Sequence, residues 1–513
     1  MSATSDNNKR IAKNTLMLYF RMILLMLISL YTSRVNLNAL GVEDYGIYNV
    51  VGGVVAMFSL LSGSLSSAIS RFITFELGRG DHQRLKDIFS ASVTIQLVLS
   101  LIIIVLLETI GLWFLNTHLV IPADRMRAAN WVFQFSVLTF VINLISVPYN
   151  ACIIAHEKMS AFAYISILEA AGKLAVALLI VHSPIDRLIF FAAMLCGIAV
   201  LLRIVYGWYC TRHFSECHYH PRWDGQLLRQ MFSFAGWNFI GCTAGLLREQ
   251  GANILINLFF GPAVNAARGI AVQVNAAITQ FVQNFMMALN PQITKNYASG
   301  NHTYMMQLIY QGARFSFYIL LLLALPVVMS THYILVLWLK LVPDHTVPFI
   351  QLTLLFALSE SISNPLITAQ LATGRLRDYQ IIVGGLLLLC FPLSWLCLWL
   401  GCPPESVVVV NVVMSQCCLC ARLIMLRGMM QLHVRDYLRK VYLNVLVVAI
   451  VSALLPVLVS RTLSECFLHF ILLTLLCLLC TTLTILYVGC NAKERHTALA
   501  YARKVQGKML RHS

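Results

Sequence analysis

The stretch Cys242–Gly261, CTAGLLREQGANILINLFFG, is apolar over the length of a membrane helix and still carries Arg248 and Glu249 near its middle. A helix of about 20 apolar residues crosses a bilayer, and runs of this kind recur through the 513-residue chain. Hydrophobic residues make up 59% of the sequence and charged residues only 11%, whereas soluble domains carry about 25% charged residues. The sequence therefore predicts an all-α polytopic membrane protein. Continuous apolar runs disfavour a transmembrane β-barrel, whose strands alternate.

The net charge of +16 and the fifteen cysteines fit the same class. Lys and Arg accumulate in the cytoplasmic loops of membrane proteins. The positive net charge is therefore explained by the orientation of the chain in the membrane, and no nucleic-acid partner is expected. Thiols inside apolar runs act as small hydrophobic groups; examples are Cys390, Cys397, Cys418, Cys420, Cys477 and Cys480. The N-terminal MSATSDNNKR is polar and no small-residue cleavage site follows it, so the first apolar run is interpreted as a membrane helix.

About fourteen transmembrane helices are predicted, and the loops between them are short. The loops on one side carry roughly four times as many Lys and Arg residues as those on the other, which predicts that both termini are cytoplasmic. The loops leave no room for a soluble catalytic domain. The spans are expected near residues 11–38, 44–72, 88–115, 127–154, 160–182, 187–211, 228–259, 262–292, 306–330, 347–371, 379–400, 405–430, 440–460 and 467–490.

The two halves of the sequence resemble each other at corresponding places. A shift of 220 residues superposes ITFELGRGD on ITKNYASGN, Gly41 on Gly261 and Gly80 on Gly300. A shift of 217 residues aligns Pro148 with Pro365, Ala155 with Ala372 and Lys158 with Arg375. An even number of spans per half gives both halves the same topology, as in parallel-repeat transporters. We therefore expect two pseudo-symmetric six-helix lobes around a central cavity, followed by two C-terminal helices.

The expected domain boundaries follow from this repeat. Spans 1–6 form an N-terminal lobe and spans 7–12 form a C-terminal lobe, with a cytoplasmic connector between them. Spans 13 and 14 and a basic cytoplasmic tail complete the chain. The corresponding ranges are 1–212 for the first lobe, 213–227 for the connector, 228–430 for the second lobe and 431–513 for the remainder.

Polar side chains gather on single faces of spans 1, 7 and 8. A charge at the bilayer centre costs at least ~2.5 kcal/mol, so these faces meet either neighbouring helices through polar contacts or a hydrated cavity. Three arginines with few partners favour an anionic ligand, because guanidinium groups fork onto phosphate oxygens. In the cavity interpretation the candidate substrate-binding residues are Arg21, Arg248, Arg268, Asn275, Gln283 and Asn238.

Three carboxylates in the predicted spans are candidates for coupling transport to a proton or sodium ion. Glu249 and Glu360 lie deep in their spans, and Glu169 is four residues from Lys173. A buried carboxyl can accept a proton near neutral pH. The alternative is that each one only balances a nearby cation, as an i,i+4 pair would for Glu169.

The predicted connector contains a run of possible metal ligands, RHFSECHYHPR, in which His213, Cys217, His218 and His220 lie close together. Their spacing matches no usual zinc pattern, and clustered His and Arg beside a membrane more often meet lipid phosphates. No metal site is therefore expected. The chain has no phosphate-binding glycine loop, and no cofactor or catalytic residue is predicted.

The segment from Asn14 to Asp81 resembles the first two helices of bacterial polysaccharide-transporter proteins. The resemblance rests on Arg21 in span 1, on the turn LGVEDYGIYNVV and on SSAISRFITFELG at the close of span 2. These proteins are the O-antigen and capsule flippases of the multidrug/oligosaccharidyl-lipid/polysaccharide (MOP) exporter superfamily, which have a MATE-like fold. The resemblance implies a cationic cavity in which Arg21 and Arg268 occupy places similar to diphosphate-binding arginines. Arg248 is a candidate on its helix face alone.

The resemblance also implies a function and a location. We expect a flippase of the bacterial inner membrane that moves an undecaprenyl-diphosphate-linked oligosaccharide for surface polysaccharide biosynthesis by alternating access. Polysaccharide polymerase and other assembly proteins are further candidate partners. A proton- or sodium-coupled drug or metabolite antiporter of the same fold is the alternative, although the basic cavity candidates disfavour cationic substrates. A membrane enzyme of polysaccharide assembly is disfavoured, because the chain lacks a sizeable external loop.

Overall fold

Helices form nearly the whole of the described chain, and the predicted all-α polytopic class is confirmed. The computed structural model describes residues 2–56, 58–118, 121–180, 183, 185–220, 224–339, 342–460, 466–492 and 494–496. No strand occurs among these residues. The chain divides into two compact units, of which the first comprises Met1–Cys242 with Met287–Asn301 and the second comprises Thr243–Met286 with His302–Ser513.

The first unit is built on six helices and the adjoining ends of two more. Helix α1 bends at Gly41, whose φ of 81° lies in the left-handed region that favours glycine. Its second half packs with α3, α4 and α6 around Val51, Leu107 and Phe133, each fully or almost fully buried. The six helices are α1 (Ser2–Ala56), α2 (Ser59–Arg79), α3 (His82–Thr117), α4 (Met126–Ala155), α5 (Met159–Leu179) and α6 (Arg187–His213).

Two long helices pass from one unit to the other, and eight more complete the second unit. The passing helices are α7 (Gly225–Phe260) and α8 (Pro262–Ala298), joined at Gly261. A bent pair, α11 and α12, breaks before Pro365. The remaining helices are α9 (His302–Met329), α10 (Thr331–Leu339), α11 (Thr346–Ser361), α12 (Asn364–Thr373), α13 (Arg377–Trp399), α14 (Ser406–Met430), α15 (Val434–Ser460) and α16 (Phe467–Gly489).

The most apolar helices and the polar ones separate clearly. Ten helices in the described chain are long and apolar enough to cross a membrane, or eleven if the bent pair is one span. Helices α7 and α8 are not among them, although their 36 and 37 residues reach about 54 Å at 1.5 Å per residue. These two helices are long enough to cross a membrane but less apolar than the ten, which agrees with the polar faces predicted for them. Large apolar side chains stay exposed on the apolar helices and also on α7, where Leu258 is 74% exposed, which suits a lipid surface.

The repeat seen in the sequence is also present in the backbone. The aligned glycines Gly41 and Gly261 have φ values of 81° and 82°, and Gly80 and Gly300 have 75° and 76°. The shift of 217 residues places Glu157, with φ of 58°, on Gly374, with φ of 75°. Positive φ values are common where helices end; Gly80 and Gly374 cap helices, whereas Gly41 lies at the kink inside α1. The two halves therefore repeat the same turn conformations.

The unit boundaries differ from the expected ones at residues 213 and 228. The division falls inside α7, after Cys242, and again inside α8, before Met287. The reason is side-chain packing at the predicted cytoplasmic ends of these helices. Phe234 on α7 contacts Phe72, with ring centroids 5.7 Å apart, and Tyr297 on α8 lies 6.3 Å from Phe75. Both ends therefore pack with α2 in the first unit.

The closest helix contact in this region predicts the effect of a single methyl group. A Cβ at Gly78 would lie 2.6 Å from the carbonyl oxygen of Lys295 and 2.8 Å from its Cα. Backbone atoms cannot move aside easily, so we expect Gly78→Ala to lower the free energy of unfolding by about 1–3 kcal/mol. Thermal unfolding in detergent measures the change. Gly63→Ala on the same helix meets nothing within 4 Å and is the matched control; equal stability of the two variants would contradict the contact.

Candidate functional site

Arg268 is the most deeply buried of the predicted cavity arginines. The left-handed Gly261 joins α7 to α8 without a longer loop, so the first turns of α8 follow directly on the last turns of α7. The Arg268 side chain, on a residue only 6% exposed, donates hydrogen bonds to the Asn253 Oδ1 and to the carbonyl oxygen of Glu249, the latter at 3.4 Å. Both acceptors are neutral. Among the described residues no carboxylate lies within ion-pair distance of this buried guanidinium, and the Glu249 carboxylate attracts it only from farther away.

Arg248 and Glu249 take different positions in the second unit. The guanidinium of Arg248 lies over the ring of Phe356, 5.0 Å from its centroid, and the residue is half-buried. Glu249 is exposed. Neighbouring residues on a helix point about 100° apart, which accounts for the different surroundings. Arg248 is thus held by a cation–π contact, which leaves its N–H donors available to a ligand.

The three amide candidates also differ in their surroundings. In the second unit, the Asn275 Oδ1 is buried without a hydrogen-bond partner among the described residues, whereas Gln283 is exposed. In the first unit, the buried Asn238 donates to the carbonyl oxygen of Ser64 at 3.5 Å. Asn238 is therefore engaged in packing between α7 and α2. Buried polar groups are normally hydrogen-bonded. The Asn275 Oδ1 is therefore an acceptor to which a ligand hydroxyl group could donate.

Arg21 lies on α1 in the first unit. Its guanidinium carbon is 4.4 Å from the centroid of the Phe162 ring. The Arg21 Nε is buried and has no hydrogen-bond partner among the described residues. An aromatic face stabilises the charge without occupying the donors, so Arg21 retains hydrogen-bonding capacity for an anion.

Glu360 faces a cation that the sequence analysis did not single out. Arg422 on α14 is 3% exposed. Its Nε donates to the Tyr379 hydroxyl at 3.3 Å, and its Nη1 lies 4.0 Å from the Glu360 Oε1. An arginine inside an apolar run was the available sequence signal, but its carboxylate partner is 62 positions away in the chain. Glu360 therefore lies at the limit of ion-pair distance from a buried guanidinium without a hydrogen bond to it, and its ion-coupling role stays a prediction.

The Arg422 environment predicts a stability difference between two carboxylates. We expect Glu360→Gln to lower the free energy of unfolding by about 2–3 kcal/mol, because the buried guanidinium loses its nearest negative charge. Glu249→Gln, at an exposed position, should change it by less than about 0.5 kcal/mol. Chemical or thermal unfolding in detergent measures both. A Glu360→Gln protein as stable as the control would show that Arg422 does not depend on this carboxylate.

The predicted i,i+4 pair on α5 is formed. The Lys173 Nζ donates to the Glu169 Oε1 at 2.6 Å, and both side chains remain partly exposed. They line a cavity of about 250 Å³ inside the first unit, together with Tyr48, Ser136, Thr139 and Asn143. A carboxylate, a cation and several hydroxyl and amide groups make this cavity suited to water or a small polar ligand.

Arg125 joins two carboxylates in the first unit that the sequence analysis did not connect. It donates to both carboxylate oxygens of Asp44, at 2.8 and 2.5 Å, and to the Asp186 Oδ2 at 2.5 Å. Burial would raise the pKa of Asp186, but the hydrogen bond and charge of Arg125, together with the backbone N–H groups of Leu188 and Ile189, lower it below its usual range. Asp44 belongs to LGVEDYGIYNVV. The acidic residue of that turn therefore fixes α1 to the starts of α4 and α6.

Arg314 is a further buried cation that the sequence analysis missed. In the second unit its Nη2 lies 2.6 Å from the Glu494 Oε1, and its Nη1 donates to the carbonyl oxygen of Gly489 at 3.0 Å. It lines a cavity of about 700 Å³ with Tyr310, Asp436 and Lys440. The ion pair holds the residues that follow α16 against α9.

The histidines of the connector do not converge. His213, His218 and His220 are exposed, whereas Glu216 and Cys217 between them are buried. The His156 ring at the end of α4 stacks on Phe214, with centroids 4.1 Å apart, and its Nε2 lies 2.5 Å from the Glu216 Oε1. The linear motif is therefore split between the surface and the interior.

The fold is that of MATE transporters. The chain is similar to a MATE structure in its bent conformation, with a TM-score of 0.72, 11% identity and coverage of 83% of this chain and 97% of the other. An outward-facing multidrug resistance MATE family transporter of the MOP superfamily gives a TM-score of 0.71 at 11% identity, with 83% and 96% covered. A mutant of the Vibrio cholerae MATE transporter VcmN gives 0.65 at 16% identity, with 83% and 99% covered.

A match to a known protein family covers more than half of the chain. Residues 11–297 match the family described as polysaccharide biosynthesis protein, and the chain belongs to this family. No curated protein matches the chain. The expected membership among polysaccharide transporters of the MOP superfamily is confirmed. Family and fold together support a multi-pass membrane transporter.

Proposed function

We propose that this chain is a flippase that moves a polyprenyl-diphosphate-linked oligosaccharide across the bacterial inner membrane by alternating access, with both termini cytoplasmic. The observation that carries the proposal is the buried charge of Arg268, whose hydrogen bonds go to neutral oxygens. A guanidinium at membrane depth is costly unless it serves a ligand. A diphosphate offers it several anionic oxygens.

The other candidate residues fit the same substrate. Arg21 and Arg248 lie over aromatic rings, which leaves their donors available for phosphate oxygens. The Asn275 Oδ1 can accept from a sugar hydroxyl. Sugar hydroxyls lose their hydrogen bonds in hydrocarbon, so a headgroup needs such polar side chains along its route. Nothing in this substrate requires bond cleavage by the protein, so we propose a transporter without catalytic residues.

Membership in the polysaccharide biosynthesis family supports the substrate class and the suggestion that assembly proteins such as a polymerase act beside it. The fold alone is equally compatible with a cation-coupled antiporter. The observation that favours the second candidate is the Glu169 carboxylate, which lines the cavity of the first unit and could bind a proton or sodium ion.

Reconstitution distinguishes the two candidates. The full chain is placed in liposomes that contain a short-chain polyprenyl-diphosphate oligosaccharide, and a membrane-impermeant glycosidase reports how much headgroup crosses. We expect crossing with the wild-type chain and none with empty liposomes. Failure to move the lipid, together with proton- or sodium-driven efflux of a cationic drug from the same vesicles, would establish the antiporter instead.

A further inference from the structure

Three buried ligand groups meet at the predicted cytoplasmic end of the first unit. They are the thiol of Cys152, the carboxylate of Glu216 and the thiol of Cys217, and their ligand atoms lie within 4.8 Å of one another. All three residues are almost fully buried, with exposures of 0%, 3% and 1%. Two ligands of a tetrahedral zinc ion with Zn–S bonds of about 2.3 Å are separated by roughly 3.8 Å, so the group needs little movement to close on an ion.

A fourth group lies beside these three. Cys210 on α6 is fully buried and interacts electrostatically with Cys217, although its sulfur is not one of the three ligand atoms that lie within 4.8 Å of one another. It also donates to the carbonyl oxygen of Tyr149 at 3.4 Å. Giving up this weak hydrogen bond would free the Cys210 sulfur to act as a ligand. Three sulfur ligands and one carboxylate oxygen are all groups that bind zinc, and together they give the four ligands that a tetrahedral site needs.

The backbone presents the ligands from three separate segments. Cys152 lies in the last turn of α4 and Cys210 in the last turn of α6. The chain then turns back, with the Cys217 amide donating to the carbonyl of Phe214 at 3.2 Å, which brings Glu216 and Cys217 inward. An ion at this point would tie the ends of two helices to the connector. Four protein ligands in a buried position are typical of a structural rather than a catalytic zinc site.

The surroundings suit the charge of such a site. Zn²⁺ with three thiolates and one carboxylate carries excess negative charge, and Arg203 lies over the Tyr149 ring, 4.0 Å from its centroid, with an attractive electrostatic interaction with Cys210. His156 holds one oxygen of Glu216 at 2.5 Å, and such outer hydrogen bonds orient metal-ligating groups.

We propose that Cys152, Cys210, Glu216 and Cys217 bind one structural zinc ion, with His156 as the hydrogen-bonding partner of the Glu216 ligand. This assignment replaces the absence of a metal site expected from the spacing in the connector. Two ligands come from helices that precede the connector, so a search of the connector alone cannot find them. The thiols form no disulfide in the structure, which is usual for cysteines of proteins in a reducing compartment.

Metal analysis of the purified full chain tests the proposal. Chelator-free purification followed by elemental mass spectrometry should give about one zinc per chain, and Cys152→Ser and Cys217→Ser should each reduce it at least tenfold. Cys196→Ser is the matched control, because Cys196 is another buried thiol on α6 outside the cluster. Cys210→Ser tests the fourth ligand; full zinc retention in this variant would overturn its assignment.

A cobalt substitution gives a readout that a packing role would not produce. After removal of zinc, Co²⁺ added to the wild-type chain should give the visible bands of tetrahedral cobalt and a near-ultraviolet thiolate charge-transfer band. Glu216→Gln keeps the shape of the side chain, so it should remain folded by size-exclusion chromatography and lose most of the signal. The proposal is overturned if the wild-type chain contains no zinc and takes up no cobalt, or if mass spectrometry finds a disulfide between Cys152 and Cys217.

Discussion

Replacing Arg268 with alanine is expected to abolish glycan export while the protein remains inserted and folded. Arg268 is buried and its hydrogen bonds go to the Asn253 side chain and the Glu249 carbonyl, so removing it deletes a positive charge rather than an ion pair. Two charge-assisted hydrogen bonds to a diphosphate, each contributing about 1.5–3 kcal/mol, correspond to a loss of roughly a hundredfold or more in transport rate.

Complementation of a deletion strain measures this loss. A variant that cannot export should produce less surface polysaccharide and accumulate the lipid-linked oligosaccharide. Arg268→Lys keeps the charge but not the fork that matches phosphate oxygens, so we expect it to restore only part of the export. Arg127→Ala removes an exposed arginine and should export normally. Arg21→Ala should behave as Arg268→Ala does. Normal export by both alanine variants would refute the proposed diphosphate site.

Glu157→Ala is expected to cause the largest loss of stability. The Glu157 carboxylate, with a side chain 1% exposed, lies 2.7 Å from the Lys295 Nζ and 3.2 Å from the Arg10 Nη2. It also accepts a hydrogen bond from the Gln292 Nε2 at 2.5 Å. Its backbone carbonyl accepts from the Asn14 side chain at 3.3 Å. One side chain thus connects α1, the turn after α4 and the end of α8 within the first unit.

Removing the Glu157 carboxylate costs about 3–5 kcal/mol, because three contacts to it are lost and a hydrogen bond to a charged group contributes about 1.5–3 kcal/mol. Water offsets part of this loss at Lys295 and Arg10, whose side chains are 23% and 54% exposed. We therefore expect Glu157→Ala to lower the free energy of unfolding by about this amount, with a smaller loss for Glu157→Gln, which can still accept hydrogen bonds. Thermal unfolding and the yield of monodisperse protein in detergent measure both. Glu169→Gln is the control, since its partly exposed pair with Lys173 should contribute about 0–1 kcal/mol. Equal melting temperatures for the Glu157 variants and the control would contradict this role.

The sequence predicted the local features of the fold well. In the described chain, eleven of the fourteen expected spans coincide with a helix, or with the bent pair, that is apolar enough to cross a membrane. The spans expected near 228–259 and 262–292 are the more polar helices α7 and α8, and the span near 44–72 is divided between the second half of α1 and α2. The glycines that align between the two halves of the sequence have matching backbone conformations, as the φ values of Gly41 and Gly261 show. These features depend on hydrophobic periodicity and on backbone conformation, and both are set by residues close together in the chain.

The candidate site was predicted in part. The predicted stripe on α8 contains a buried guanidinium, Arg268, and a buried amide oxygen without a partner among the described residues, on Asn275. The same reasoning placed Gln283 in the stripe, although its side chain is exposed, because helical spacing gives a shared direction but not what a neighbouring helix covers. The pairing of Arg422 with Glu360 needed the packing of α14 on α11.

By itself, the sequence determined the membrane class, the positions of the spans and the faces that carry charge, because apolar length and helical period are local properties. Only the tertiary structure decided which partner each buried charge or thiol meets. Arg314 meets Glu494, and Cys152 meets Cys217, across long separations in the chain. In an apolar environment a polar group must be satisfied by other parts of the protein, and which parts are available depends on how distant helices pack.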